Sequence, residues 1–225
     1  MKSYIITIKG NEISEHAAQR CKQSTDLEIE TFDAVTSDQA ESELSLNGLS
    51  WTYPWDHVKL DFKSGLSLVP YTTKNRNNRI ACFLSHYKLW EKCIDEGPLL
   101  ILEHDAIFIQ KFKYQYLLDS IYGIISINDP RGATRMSARY HEVIQKCNED
   151  IAPVPMIDDM TVAQGLPGNS AYIIKPTHAS KMIDLVNDHG AWPNDAIMCK
   201  QLIPLLGASK SYYTKVQGTP STTTL

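Results

Sequence analysis

The residues of this chain best suited to chemistry are the two acids of the triplet Glu103-His104-Asp105. They follow four large apolar residues, 99–102, which predict a strand buried on both faces. If strand alternation continues through the triplet, both carboxylates point to one side and His104 points to the other. Such carboxylates repel each other, and Mn²⁺ or Mg²⁺ relieves that repulsion. A solvated acidic strand end is the alternative interpretation.

A helix is predicted immediately before this strand. Apolar residues at positions i, i+4, i+7 and i+11 indicate a helix over residues 81–94, and Gly97-Pro98 ends it. Ser85 and His86 then fall in its first turns, where exposed backbone N–H groups favour a phosphate. We expect His86 either to donate to a diphosphate or to tie the helix to the strand.

The rest of the chain alternates between strand-like and helix-like segments. This alternation predicts an α/β fold with a mainly parallel central sheet flanked by helices, whose ligands bind at the carboxyl ends of the strands. Further strands are expected over residues 4–8, 27–35 and 121–127, and residues 168–174 are expected to form a turn followed by a strand. Further helices are expected over residues 12–22, 131–147, 177–188 and 196–202.

Residues 36–78 are polar and irregular in pattern, and we expect an insertion with little regular structure there. An aromatic cluster, Trp51, Tyr53 and Trp55, lies in its middle. This cluster is either a platform on which sugar rings stack or a small satellite core, since burial of aromatic side chains dominates packing.

Two further polar groups are candidates for binding. Arg131, Arg135 and Arg139 are spaced by four, so they share one face of the predicted helix. That face either is solvated or contacts a diphosphate or an anionic acceptor. Gly168-Asn169 permits close approach of the backbone to a sugar, although a plain turn has the same composition.

The overall composition is that of one globular domain spanning residues 1–225, with 43% hydrophobic and 21% charged residues. A net charge of -4 disfavours nucleic acid and anionic lipid as partners of the whole molecule. The first apolar run is too short for a signal peptide, and no stretch is long enough for a membrane span. Five scattered cysteines predict free thiols. We therefore expect a cytoplasmic protein.

Several segments, in order, resemble glycosyltransferase family 25, which includes lipooligosaccharide and collagen galactosyltransferases. Residues 79–90 (RIACFLSHYKLW) and 100–106 (LILEHDA) are similar to the family's Ser-His helix and to its strand ending in Glu-Asp-Asp. Residues 30–35 (ETFDAV), 168–174 and 193–195 (PND) are similar to the family's Phe-x-Ala-Val, Gly-x-x-x-Tyr and Pro-x-Asp segments. The resemblance covers most of the chain.

The chain departs from the family pattern at three places. Asn78-Arg79 replaces a Gly-Glu before the helix, His104 replaces the middle acid, and residues 7–10 (TIKG) replace an Asn-Leu-x-Arg. The outer acids are retained, so the metal scheme is retained. The residues that help to frame the nucleotide are different.

The resemblance implies a GT-A fold, which is a single nucleotide-binding α/β domain, and an inverting transfer of galactose or glucose from a UDP-sugar to a hydroxyl. Inversion needs a base for the acceptor proton and a metal for the departing diphosphate. Asp105 is the expected ligand of Mn²⁺ or Mg²⁺, with Glu103 helping directly or through water. Asp195 is the expected base, with His86 and Asp158 as alternatives. Expected contacts to the nucleotide-sugar donor are Lys9, Arg79, Ser85, Glu103, Gly168 and Asn169.

The favoured hypothesis is therefore a transferase that builds a surface glycan, as in lipopolysaccharide biosynthesis. One alternative is a transferase acting on protein or on hydroxylated bases of nucleic acid, although the net charge counts against nucleic acid. Another is a module that binds sugar nucleotide or glycan without turnover. Release of UDP from a candidate donor, with and without Mn²⁺, discriminates between these classes.

Overall fold

The structure is a computed structural model that describes residues 1–132, 136–157, 159–166 and 168–219. Arg135 and Asp158 lie outside the described residues. The helices are α1 (Glu12–Gln23), α2 (Ala40–Leu46), α3 (Arg76–Glu96), α4 (Gln115–Leu118), α5 (Ser137–Lys146), α6 (Pro176–His189) and α7 (Asn194–Ile197). The strands are β1 (Lys2–Thr7), β2 (Glu30–Asp33), β3 (Lys59–Asp61), β4 (Leu66–Leu68), β5 (Leu99–Glu103), β6 (Ala106–Phe108), β7 (Ile124–Ser126), β8 (Ile151–Pro153), β9 (Ala171–Ile174), β10 (Leu206–Ser209) and β11 (Thr214–Val216).

Within the described ranges, a seven-stranded sheet has the order β2-β1-β5-β9-β7-β10-β8. β1 is parallel to β2 and β5, and β7 is parallel to β10. β9 is antiparallel to both β5 and β7, and β8 is antiparallel to β10. Five strands therefore point one way and two point the other. The predicted α/β class with a mainly parallel sheet flanked by helices is confirmed.

Strand β5 lies inside the sheet, between β1 and β9. Its four apolar residues, 99–102, are completely buried. Leu99 and Ile101 pack into one hydrophobic core with α3 and α6, while Leu100 and Leu102 pack into the core on the other face with α1. The prediction of a strand buried on both faces is confirmed, and its carboxyl end carries Glu103.

Helix α3 begins five residues earlier than the predicted boundary at residue 81. The side chain of Asn75 caps it by accepting a hydrogen bond from the backbone N–H of Asn77. The polar residues 76–79 have no apolar periodicity, so the pattern does not reveal this first turn. Ser85 and His86 consequently lie in about the third turn. The prediction that they lie in the first turns of the helix is wrong, so the exposed N–H groups of the helix N-terminus no longer support a phosphate contact there.

The segment 36–78 is more regular than predicted, because it contains α2 and the two-stranded β3–β4 hairpin in addition to the start of α3. Its aromatic residues form a packed cluster. Trp51 stacks on Trp55 with ring centroids 4.9 Å apart, and Tyr53 packs against Trp192 in the main core. This packing favours the satellite core over the sugar platform.

The predicted arginine face does not form as described. Arg131 lies in a turn before α5, and its Nη2 pairs with Asp129 Oδ2 at 2.7 Å. A residue outside the helix cannot share a helical face, so this prediction is wrong for Arg131. Arg139 is exposed on α5.

The five cysteines are free thiols, as predicted. Among the helices that the structure describes, none has both the length and the apolar character needed to cross a membrane.

Candidate active site

A cavity of about 670 Å³ opens at the carboxyl ends of β1 and β5. Ligands of α/β folds bind at this edge, and the volume is that of a small-molecule site. The cavity brings together most of the residues predicted from sequence, namely Arg79, Ser85, His86, Glu103, Asp105, Asn169 and Asp195.

Two predicted donor contacts are placed elsewhere. Lys9 is exposed, and its Nζ lies 3.9 Å from Asp33 Oδ2 beside a separate depression of about 290 Å³. The chain turns after β1, which directs this lysine away from the main cavity. Gly168 precedes a turn, has a φ of 76° and does not line the cavity, whereas its neighbour Asn169 does.

Both acids of the triplet face the cavity, but strand alternation is not the reason. Strand β5 ends at Glu103, and His104 and Asp105 form a turn that leads into β6. The expectation that alternation carries His104 away from the site is therefore wrong, and His104 also lines the cavity. The turn, rather than the pleat, places Asp105.

One oxygen of the Asp105 carboxylate lacks a partner within the described residues. Its Oδ1 atom is buried and has no hydrogen bond. Burial, followed by the negative charge of Glu103, raises the pKa of Asp105 to about 7. A buried carboxylate in this state is stabilised by a proton or by a cation. Two carboxylates with an unused oxygen fit a hard divalent cation such as Mn²⁺ or Mg²⁺.

Glu103 is held by a chain of buried hydrogen bonds. Trp90 Nε1 donates to the hydroxyl oxygen of Tyr172 at 2.9 Å. The same hydroxyl lies 2.9 Å from His86 Nδ1, and His86 Nε2 lies 3.2 Å from Glu103 Oε1. Because the Tyr172 oxygen already accepts from Trp90, we infer that its hydrogen goes to Nδ1. His86 then carries its proton on Nε2 and donates it to Glu103.

This series of hydrogen bonds shows what His86 does in the structure. Burial alone would raise the pKa of Glu103, but the hydrogen bond from His86 and the nearby imidazoles hold that pKa below its usual value. Both ring nitrogens of His86 are used, so the geometry favours the role of tying helix α3 to strand β5. A proton-transfer role for His86 has less support.

Cys82 lies close to the same pair, and the ligand atoms of Cys82, His86 and Glu103 are within 4.8 Å of one another. Burial, reinforced by the charge of Glu103, raises the pKa of the Cys82 thiol well above its usual value. Metal binding requires the thiolate. We therefore interpret Cys82 as a protonated thiol; its Sγ lies 3.6 Å from Asn194 Oδ1.

Replacing Tyr172 tests this hydrogen-bonded chain. Tyr172→Phe leaves Trp90 Nε1 and His86 Nδ1 buried without partners, so we expect the free energy of unfolding to fall by about 2–4 kcal/mol. Urea denaturation measures it. In the control Tyr213→Phe, the lost hydroxyl lies 3.2 Å from the half-buried Tyr116 hydroxyl, its hydrogen-bond partner among the described residues, and we expect a loss of about 1 kcal/mol. Equal losses of unfolding free energy in the two variants would argue against this series of buried hydrogen bonds.

Ser85 is committed to the fold. Its hydroxyl donates to the carbonyl of Ala81 at 2.8 Å and accepts from the backbone N–H of Val35 at 3.0 Å. The hydroxyl thereby joins helix α3 to the segment after β2. Its one hydrogen and one of its two acceptor lone pairs are used, so only the second lone pair is left for the predicted contact with the nucleotide-sugar donor, which stays a prediction.

Asn169, unlike Ser85, makes no hydrogen bond through its side chain to the described residues. The residue is only 9% exposed, yet neither its Nδ2 nor its Oδ1 atom has a hydrogen-bond partner among the described residues. Buried amides are nearly always paired. A side chain that offers both a donor and an acceptor to a cavity suits the hydroxyls of a sugar.

We expect Asn169→Ala to weaken substrate binding without loss of stability. Removing one or two hydrogen bonds to the ligand should lower affinity by about 10- to 30-fold. The free energy of unfolding should stay within about 0.5 kcal/mol, because no protein partner is lost. Calorimetric titration and urea denaturation measure the two quantities.

Asn128 provides a matched control. It is also buried, but its Nδ2 donates to the carbonyl of Asp129 and its Oδ1 accepts from Thr214 Oγ1 at 2.9 Å. Asn128→Ala should therefore destabilise the fold by about 1–3 kcal/mol and leave ligand affinity unchanged. If both variants lose stability to the same extent, Asn169 is a structural residue.

Asp195 lies in the first turn of α7, where a close backbone contact fixes it. A Cβ atom at Gly165 would lie 1.8 Å from the carbonyl oxygen of Asp195, so only glycine fits there. The Tyr71 hydroxyl hydrogen-bonds to the Asp195 carboxylate, and the Arg79 guanidinium lies 4.8 Å from the Tyr71 ring. Burial raises the pKa of Asp195; the charge of Arg79 opposes this, and that of Glu103 adds to it.

Several residues of the site were not predicted from sequence. They come from distant parts of the chain and comprise Tyr71, Tyr172 and the segment 216–219. Neither Tyr71 nor the segment 216–219 belongs to a motif. A tyrosine becomes a candidate only when its neighbours are known. The Gly-x-x-x-Tyr resemblance, which contains Tyr172, was the one available signal.

Comparison with known proteins identifies the class. A family model described as Glycosyltransferase family 25 (LPS biosynthesis protein) matches residues 1–198. The chain is therefore a glycosyltransferase. More narrowly, it belongs to glycosyltransferase family 25.

Solved structures give weaker likenesses. An active-site mutant of LgtC is 11% identical with a TM-score of 0.47, covering 98% of this chain and 88% of that chain. The galactosyltransferase LgtC in complex with donor and acceptor sugar analogs is 9% identical with a TM-score of 0.43 and the same coverage. Mouse xyloside xylosyltransferase 1 is 8% identical with a TM-score of 0.42, covering 91% and 83%. No curated protein sequence matches the chain.

Proposed function

We propose that this glycosyltransferase has a GT-A fold and is a metal-dependent, inverting enzyme that moves galactose or glucose from a UDP-sugar to a hydroxyl of a glycan. The observation that carries the proposal is the buried, unpartnered Oδ1 of Asp105 beside Glu103, in a cavity at the carboxyl end of β5. The family description as an LPS biosynthesis protein supports a lipopolysaccharide glycan as the acceptor.

Asp105 and Glu103 would hold Mn²⁺ or Mg²⁺. When bound, such a cation supplies positive charge that stabilises the departing diphosphate. Glu103 is kept ionised by the hydrogen bond from His86, and its Oε2 lies 3.5 Å from the Ser170 hydroxyl. Asp105 contributes the oxygen that has no other partner.

Asp195 would accept the acceptor's proton. In the inverting step the acceptor oxygen bonds to the anomeric carbon, the bond from that carbon to the diphosphate breaks, and the hydroxyl proton passes to the Asp195 carboxylate. Burial raises the pKa of this carboxyl, which makes it a better proton acceptor than an exposed aspartate. Tyr71 and Arg79 keep it oriented.

The donor would contact Asn169 and Arg79, which line the cavity. Asn169 presents its free amide to the sugar hydroxyls. The Arg79 guanidinium, anchored through Nε to Thr73 Oγ1 at 2.8 Å, supplies positive charge for the diphosphate. Lys9 and Gly168 lie outside the cavity and are not part of this proposal.

We further propose that residues 1–225 form one catalytic domain, since strands from Lys2 to Ser209 build a single sheet. The five free cysteines support a reducing compartment, and we take the cytoplasm as the site of action.

The experiment is a screen of nucleotide sugars with and without Mn²⁺, reading thermal stability and UDP release. UDP-galactose or UDP-glucose with Mn²⁺ should raise the melting temperature and release UDP in the presence of acceptor glycan. A response to another nucleotide sugar alone would overturn the donor assignment. A thermal shift without UDP release for every acceptor tried, protein and nucleic acid included, would support a binding module without turnover.

A further inference from the structure

The C-terminal segment, residues 214–219, lies beyond the family match, which ends at residue 198. Its strand β11 pairs antiparallel with β6, so that Val216 lies opposite Ala106. This register brings the residues after β11 against the turn that contains Asp105. Val216, Gly218 and Thr219 line the same cavity as the acidic pair.

Gln217 binds the acidic turn, which is formed by His104 and Asp105, and the residue that follows it, Ala106. Its backbone N–H donates to the carbonyl of Asp105 at 2.8 Å. Its side-chain Nε2 donates to the carbonyl of Ala106 at 2.9 Å and to that of His104 at 3.4 Å. One residue of the C-terminal segment therefore holds both carbonyls of the turn and the first carbonyl of β6.

The carboxamide of Gln217 is itself fixed by helix α1. Its Nε2 also donates to the carbonyl of Ala17 at 2.9 Å, so its two hydrogens are shared among three carbonyls. Its Oε1 accepts from Arg20 Nε at 2.7 Å. These contacts place the amide between α1 and the acidic turn in a single orientation.

Asp105 depends on this arrangement because it lies outside a strand. A strand residue is held by the sheet ladder, whereas Asp105 follows the end of β5 and its position is set by the turn. Displacing the turn by about 1 Å would separate Asp105 from Glu103 and spoil a shared ligand set.

We propose that Gln217 is a positioning residue that holds the turn at His104 and Asp105 in the conformation that binds the metal. The C-terminal segment is then a working part of the catalytic centre. A second observation supports the place of the C-terminal segment in this centre. The Thr219 hydroxyl oxygen is buried, without a hydrogen-bond partner among the described residues, and Thr219 lines the same cavity. The inference rests on the metal role in the proposed function.

The test is direct Mn²⁺ binding by calorimetry to the full chain and its Gln217→Met variant. Methionine keeps the length and the neutral charge but removes the side-chain donors, while the backbone hydrogen bond to the Asp105 carbonyl remains. We expect the Kd for Mn²⁺ to rise by about tenfold or more. In kinetics, the Mn²⁺ concentration for half-maximal rate should rise similarly, while kcat at saturating Mn²⁺ stays within about threefold.

Gln110→Met is the matched control. Gln110 Nε2 donates to the carbonyl of Tyr212 at 2.6 Å, which ties the residues just before β11 to the residues just after β6 without contacting the acidic turn. Its Mn²⁺ affinity should equal that of the wild type. Gln217→Asn, which withdraws the amide by one methylene, is a milder variant that should also weaken Mn²⁺ binding if Gln217→Met fails to fold.

The outcomes separate the two proposals. Wild-type affinity in the folded Gln217→Met or Gln217→Asn variant overturns the positioning role, as does equal weakening in Gln110→Met. If the wild type binds no Mn²⁺, the metal part of the proposed function fails, and the inference about Gln217 fails with it.

Discussion

Asp105→Ala is expected to abolish sugar transfer and Mn²⁺ binding while the protein stays folded. The variant removes the unpartnered oxygen of the acidic pair, so the charge that develops on the leaving diphosphate loses its counter-charge. We expect kcat to fall by at least about 10³-fold, equivalent to about 4 kcal/mol of barrier. Calorimetric Mn²⁺ titration and initial rates measure the two effects.

The stability of the Asp105→Ala variant, unlike its activity, should not decrease. Burial and the charge of Glu103 disfavour the ionised form of this carboxylate and raise its pKa to about 7, so its removal should leave the free energy of unfolding of the metal-free protein unchanged or higher. Asp61→Ala is the control. That carboxylate accepts from Ser64 and His189 outside the cavity, so its loss should lower stability and spare Mn²⁺ affinity. Full turnover by the wild type after exhaustive chelation would refute the metal scheme.

Asp195→Asn should lower kcat by at least about 10²-fold, the usual scale for removal of a general base. Asparagine keeps the shape of the side chain and its contact with Tyr71 but cannot take a proton. Mn²⁺ and UDP affinities should stay close to the wild-type values, because the substitution leaves the acidic pair intact. Steady-state rates with saturating acceptor are the measurement.

The control for this variant is Asp184→Asn, an exposed acid on α6 for which we expect unchanged kcat. A near-normal kcat for Asp195→Asn would leave Asp195 as an acid that complements the dipole in the first turn of a helix. A joint loss of kcat and UDP affinity would instead assign Asp195 to donor binding.

The parts of the fold that the sequence predicts well are those with long or unbroken apolar patterns. Strand β5 follows from four consecutive apolar residues, and helix α6 is recovered to within one residue at each end because Gly190 stops it. The missed elements, such as α4, β8 and β11, have three or four residues. Segments this short depend on pairing with distant strands, which local periodicity does not report.

The candidate site likewise contains residues that the sequence predicts and residues that it does not. Glu103, Asp105 and Asp195 could be predicted because acids in those positions are typical of the family and chemically distinctive. The residues that hold them could not. Tyr172 supports Glu103 through His86, and Gln217 binds the acidic turn from more than 100 residues away. Such supporting contacts follow from the three-dimensional arrangement.

The reversed direction of β9 has a consequence for how this enzyme could diversify. Because β9 runs against β5, its amino-terminal end meets the carboxyl end of β5, and the Ser170 carbonyl accepts from the Glu103 backbone N–H at 2.8 Å. The loop that enters β9 therefore reaches the edge with the candidate active site, while the connection leaving Ile174 lies on the remote edge. Insertions before Ala171 would reshape substrate choice at little cost to the sheet, and insertions after Ile174 would be neutral to it.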